Sequence, residues 1–145
     1  MAKVTRMIGT DPAHVFAVLA DGWSYPLWVV GASHMRDVDA AWPEIGSRIH
    51  HSVGLWPLLV EDFTEVVGMQ PDRHLELAAR AWPTGSARIT IDLEDAPGGT
   101  VVTMAEHAEA GPAALIPGPL ETAMLVPRNR EALARLDRLA TRRRS

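Results

Sequence analysis

The stretch Leu120–Ala140, LETAMLVPRNREALARLDRLA, runs into the basic end Thr141-Arg142-Arg143-Arg144-Ser145. Leu133, Leu136 and Ala140, flanked by Ala132 and Leu139, recur at the three-and-four spacing that lays apolar side chains along one stripe of a helix. Arg128, Glu131, Arg135 and Arg138 fall mostly off that stripe, and Glu131 precedes Arg135 by four residues, the favourable order for an ion pair on a helix surface. The segment therefore predicts one amphipathic helix, about 30 Å long if it is unbroken. Pro127 lies inside it and predicts a kink or a fresh start there. Such a helix needs an apolar surface to lie on, and the rest of the chain supplies the strands of a sheet.

At the other end of the chain, Lys3 to Gly9 sets Val4 and Ile8 against Thr5 and reads as a first strand. The period then changes. Asp11 is a natural N-cap, Pro12 suits the first helical position, and Val15, Phe16 and Leu19 form an apolar face that ends near Asp21-Gly22. Ser24 to Trp28 adds a second short helical turn before the chain extends again around Ala32 to Val38. From there it reads as a meander. Ser47 to Val53 is a strand, Gly54-Leu55-Trp56-Pro57 its turn, and Leu59 to Val67 the return strand. After Gln70-Pro71-Asp72, Leu75, Leu77, Ala79 and Ala81 alternate with His74, Glu76, Ala78 and Arg80, which defines a half-buried strand with small side chains at one end. Trp82-Pro83-Thr84-Gly85 turns into a strand whose inner set is Ala87, Ile89, Ile91 and Leu93. Pro97-Gly98-Gly99 marks a hairpin, and Thr100 to Glu109 is the last strand.

The predicted class is therefore α+β: a seven-stranded antiparallel sheet wrapped around a long C-terminal helix, with two short helices after the first strand. All 145 residues read as a single domain. A twisted sheet curling round one helix leaves a gap that is a natural place for a small ligand.

Composition narrows the function classes. The chain has no cysteine, which removes disulfides, thiol nucleophiles and thiolate metal sites. Its formal net charge of −4 and the confinement of the basic run to Arg142–Arg144 argue against a nucleic-acid partner. Met1 to Arg6 lacks the apolar run of a signal peptide and no later run is long enough to span a bilayer, so the expectation is a cytoplasmic protein without stable membrane insertion, as a monomer or homodimer. Six histidines raise the question of a metal, but they are scattered and His50-His51 point to opposite faces of a strand, so no metal is expected. No nucleophile elbow, phosphate loop or dinucleotide fingerprint occurs, and no cofactor is expected.

Thr10-Asp11-Pro12-Ala13-His14-Val15-Phe16, followed by Leu19-Ala20-Asp21 and Tyr25-Pro26-Leu27-Trp28, resembles the opening of the START-like, helix-grip (SRPBCC) superfamily, in particular its polyketide cyclase/dehydrase-like branch. Gly46-Ser47-Arg48, Pro71 to Leu75, Gly98 to Thr103 and the terminal helix follow in matching order, so the resemblance spans essentially the whole chain. Trp28 to Ala32 and His50 to Gly54 are similar to a bacterial group within it. The resemblance implies a hydrophobic small-molecule ligand, lipid- or polyketide-like. It also admits cyclase or dehydratase chemistry, or a partner-regulating or stress-related role, since one fold carries all of these.

Topology and parity nominate the residues of a site. Alternate turns of a meander lie at one end of the sheet, so Trp56 and Trp82 share a rim, as pocket aromatics or as local packing of their turns. Trp42-Pro43 belongs at the opposite end and reads as structural. With Ile49 and Val53 facing inward, His51 shares the inner face and His50 faces out. A turn centred near Trp56 sets His51 opposite Glu61, Ile49 opposite Phe63 and Ser47 opposite Glu65. In the last strand, Val102, Met104 and Ala108 favour one face and carry Glu106 with them, against Val101, Thr103, Ala105 and His107 on the other. An inner-face polar residue is costly unless paired, so His51, Glu61 and Glu106 are the candidate catalytic residues, either orienting a ligand or satisfying one another. Trp28, His51, Trp56, Phe63, Ala79, Trp82, Met104, Glu106, Leu120 and Met124 are the candidate ligand-binding residues, with Ala123 beside the last two on the helix wall.

Overall fold

The structure, a computed structural model, describes residues 2–29, 34–53, 60–81 and 85–142. Asp11 caps the first helix as its sequence requires: its carboxylate accepts from the His14 N–H at 2.9 Å, with Pro12 at the first helical position. Strand β1 (Ala2–Ile8) thus hands over to α1 (Pro12–Ala20), which buries Val15, Phe16, Val18 and Leu19. Ser24 ends α1 by donating from its hydroxyl to the carbonyls of Val18 and Asp21, at 2.9 and 2.8 Å. That bifurcated hydrogen bond satisfies helix-end acceptors, and the chain turns through a short 3₁₀ segment (Gly22–Ser24) into α2 (Tyr25–Trp28).

The remaining strands are β2 (His34–Val38), β3 (Arg48–Val53), β4 (Val60–Gln70), β5 (His74–Ala81), β6 (Gly85–Ala96) and β7 (Gly99–Ala110). They pair antiparallel in the order β1-β7-β6-β5-β4-β3-β2. The chain crosses from one edge to the other through α1 and α2, then meanders back to lay β7 against β1. Helix α3 (Gly118–Arg142) runs over β1 and β7 in the opposite direction to β7 and packs against α1 and α2. It is the predicted fold, and α3 continues through Pro127 as one helix rather than restarting there.

The core follows the alternation. Leu75, Leu77, Ile89, Ile91, Leu93, Val102 and Met104 face inward against Val15, Phe16, Leu19, Leu133, Leu136 and Ala140. Each such large apolar side chain stabilises the fold by about 1.5–3 kcal/mol when fully buried. Trp42 is structural as expected, its Nε1–H donating to the Leu19 carbonyl at 3.0 Å. Gly85 opens β6 at φ +118, where any side chain would collide with the Ala110 carbonyl, so β6 can close on the end of β7 only with glycine there. No helix among the described residues is long and apolar enough to cross a membrane.

Candidate functional site

The inner face of the sheet is best read as rows running across the strands. One row is Met69–Leu75–Ile91–Met104–Val4, the next is Val66–Leu77–Ile89–Glu106–Ala2. Val66, Leu75, Leu77, Ile91, Met104, Val4 and Ala2 are all buried, as are Ile89 and Glu106, and only Met69 at the β4 end is partly exposed. The following row, about 7 Å further toward the β5–β6 end, is Ile49–Thr64–Ala79–Ala87–Ala108. Here the last three side chains are alanines, and all three stay partly exposed although they face the same side as the buried rows. The inner face therefore changes from large buried side chains to small, partly exposed ones within one step along its strands.

The β3–β4 register corrects the sequence reading by one residue. His51 pairs with Asp62, Ile49 with Thr64 and Arg48 with Glu65, while Glu61 pairs with Ser52. Thr64 and Val66, at 1% and 0% exposure, hold the inner positions. Phe63 and Glu65 go to the outer face instead. Two guanidinium groups cover the Phe63 ring, Arg48 at 4.0 Å and Arg80 at 5.0 Å from its centroid, and Arg48 Nε donates to Glu65 at 2.8 Å. Phe63 is thus held on the surface, away from the candidate ligand face, and Glu65 is committed to Arg48. His50 faces outward as expected and meets Asp39 at 2.9 Å, a contact that holds the Asp39 carboxyl below the ordinary range.

Polar groups gather where the filled rows meet the open one. His51 Nε2 lies 3.2 Å from the Thr64 hydroxyl, and Thr64 is hydrogen-bonded in turn to Tyr25. Tyr25 is buried edge-on against Trp28, with ring centroids 5.5 Å apart, so Trp28 belongs to the core beneath this cluster. Burial pushes the Tyr25 phenol up; the Thr64 hydrogen bond lowers it in part, Glu106 raises it again and Arg128 opposes. Glu106 itself is 6% exposed and both its oxygens are met at 2.5 Å by Nη2 of Arg128, reaching across from α3. The sequence pattern had left two faces open for Glu106; it takes the inner one.

Nearer the start of α3, Glu121 is buried and closes the free edge of β7. It accepts from the Ala108 N–H at 3.3 Å and meets His107 at 3.2 Å. Burial alone would raise its carboxyl, but the bonds from His107 and Ala108 outweigh that and hold it below the ordinary value. Leu120 and Met124, expected on the inner wall, are 53% and 56% exposed, and Ala123 is exposed as well. Met104 lies in a filled row and Ala79 in the open one. Trp56 and Trp82 lie outside the described residues, as does the side chain of Glu61.

The structure thus brings His51 and Glu106 to the same face, but three strands stand between β3 and β7, and no β4 glutamate is in register with His51. Tyr25, Thr64, Arg128 and Glu121 are the residues sequence reasoning missed. Glu106 held the clue to Arg128, because an inner-face carboxylate beneath a helix calls for a cation on that helix. A separate groove of about 680 Å³ lies at the opposite end of the sheet, lined by Asp11, Asp72, Arg73, Glu94 and Asp95 among others, and contains none of the nominated residues.

Known proteins share this fold. A family model described as polyketide cyclase/dehydrase and lipid transport matches residues 1–142. Among solved structures, a Mesorhizobium loti protein is similar at 18% identity, covering 97% of this chain and 96% of its own, with a TM-score of 0.70. A Rhodobacter sphaeroides protein is similar at 20% identity, covering 96% and 90%, with a TM-score of 0.71. DynU16, a protein of the dynemicin biosynthetic locus, is similar at 19% identity over 94% of this chain and 45% of its own, with a TM-score of 0.68. No curated protein matches significantly.

Proposed function

The chain belongs to the polyketide cyclase/dehydrase and lipid transport family, and from that premise we propose that it binds a hydrophobic small molecule, lipid- or polyketide-like, against the open row of its sheet. The observation that carries the reading is the row Thr64–Ala79–Ala87–Ala108, whose small alanine side chains remain partly exposed directly beside the buried row of Val66, Leu77, Ile89 and Glu106. An apolar surface of this kind, backed by a rigid floor of Leu77 and Ile89, gives a ligand area to bury without any rearrangement of the sheet. The polar groups at its border, Tyr25, Thr64 and His51 on one side and Glu106 with Arg128 on the other, would fix the orientation of a ligand's polar end.

Acid–base chemistry by His51 and a carboxylate has less support. Glu65 is engaged by Arg48 on the outer face, Glu61 is out of step with His51, and Glu106 is paired with Arg128 three strands away.

Native mass spectrometry of freshly purified protein tests the binding reading. A co-purifying apolar molecule that organic extraction removes is the expected result. Repeated preparations that hold no such molecule, and that take none up from a lipid extract, would refute it.

A further inference from the structure

We propose that the Glu106–Arg128 pair makes this site selective for neutral ligands that present hydrogen-bond acceptors, such as ketones, quinones or esters, over carboxylic acids of the same shape. The inference rests on the ligand-binding reading above and names the ligand's chemistry.

Charge accounting comes first. Arg128 is the natural docking point for a ligand, since its side chain stays 38% exposed while Glu106 beneath it is 7% exposed. Were the guanidinium unpaired, a ligand carboxylate would be its best partner. Glu106 already fills that role, with both oxygens on Nη2. An incoming carboxylate would either displace Glu106, stranding a buried charge, or sit beside it as a second anion sharing one cation. A neutral carbonyl meets neither obstacle.

The donor inventory points the same way. A guanidinium carries five N–H donors, and the contact with Glu106 engages only Nη2. One residue further along α3, Asn129 is 2% exposed and its Nδ2 has no hydrogen-bond partner among the described residues. A buried donor without a partner is costly, and the complement of surplus donors is an acceptor. The remaining polar groups, His51, Thr64 and Tyr25, are already joined to one another. The unengaged donors of Arg128 favour a carbonyl oxygen, and the Glu106 charge disfavours a second anion.

The test uses a matched pair of probes, 2-acetylnaphthalene and 2-naphthoate, titrated into the whole protein at pH 7.5, where the second is an anion. The wild-type protein is expected to bind the ketone at least about tenfold more tightly than the carboxylate. Glu106→Gln, which removes the negative charge and keeps the shape, is expected to shrink that preference about tenfold or reverse it, because Arg128 then offers an uncompensated charge. Equal or tighter binding of naphthoate by the wild type would overturn the inference, with no variant needed. A ratio unchanged by Glu106→Gln would overturn it as well, while leaving the ligand-binding reading intact. If neither probe binds the wild type, the ligand-binding reading falls and takes the selectivity with it.

Discussion

The two halves of helix α3 obey opposite rules. From Ala132 onward burial tracks polarity: Ala132, Leu133, Leu136 and Ala140 are buried, while Arg138 and Arg142 are exposed. Before that the relation inverts, with Glu121 and Asn129 buried and Leu120 and Met124 exposed. The later half lies over filled rows of the sheet, and the earlier half lies beside the open alanine row and the end of β7. A helix that only packed would not bury a carboxylate and an amide while leaving a leucine and a methionine out. The inversion marks the earlier half as the part held by polar contacts to β7 rather than by apolar packing.

Substitutions in the two halves should therefore separate apolar packing from polar pairing. Leu136→Ala, at a fully buried position of the later half, is expected to destabilise by about 3 kcal/mol in chemical denaturation, with ligand affinity unchanged once the folded fraction is accounted for. A loss under about 1 kcal/mol would mean that this half is not the packed one.

Glu121→Gln tests the other half. The charge-assisted bonds to Ala108 and His107 predict a loss of about 1.5 kcal/mol at neutral pH. The Glu121 carboxyl lies below its ordinary value of 4.5 in the folded protein. Its contribution is thus complete above that value and is lost as the pH falls through the lower folded pKa. The wild-type and Glu121→Gln stability curves should accordingly keep a constant separation above about pH 5 that narrows as the pH falls below it. A separation that stays unchanged on acidification would show that the carboxylate contributes nothing by being charged. Smaller still, replacing Leu120 and Met124 together by serine should move stability by no more than about 0.5 kcal/mol, because both are already in water. A loss several times larger would show that these side chains are core after all.

Much of this molecule can be read from its sequence, and the misses have physical causes. Strict alternation in Leu75–Ala81 and Ala87–Leu93 gives the inner face of β5 and β6 without ambiguity, as their buried residues bear out. The β3–β4 pairing was not so legible. No two-residue turn joins those strands to pin the register, and β4 carries apolar residues of both parities, Phe63 and Val66 among them. The decisive fact, that two arginines from neighbouring strands shield Phe63 on the outer face, depends on tertiary contacts.

The inversion in α3 left a signal that was available. Stepping back from Leu133 by fours reaches Asn129, Leu125 and Glu121, not Leu120 and Met124. Hydrophobicity pulled the reading toward the leucine and methionine, whereas the helix geometry favoured the glutamate. Arg128 was obscured in the same way, as one of several arginines off the apolar stripe, until Glu106 on the facing strand gave it a partner.

The central claim is that the alanine row borders open space intended for a ligand, and Ala87→Leu tests it most directly. Ala87 sits in the middle of that row, between Ala79 and Ala108. If the space is open, the larger side chain fits with a stability change near zero, and binding of 2-acetylnaphthalene falls by at least about tenfold. If the row is packed, the same change should overfill it, costing about 1–3 kcal/mol and leaving probe binding as it was, and that result would contradict the account.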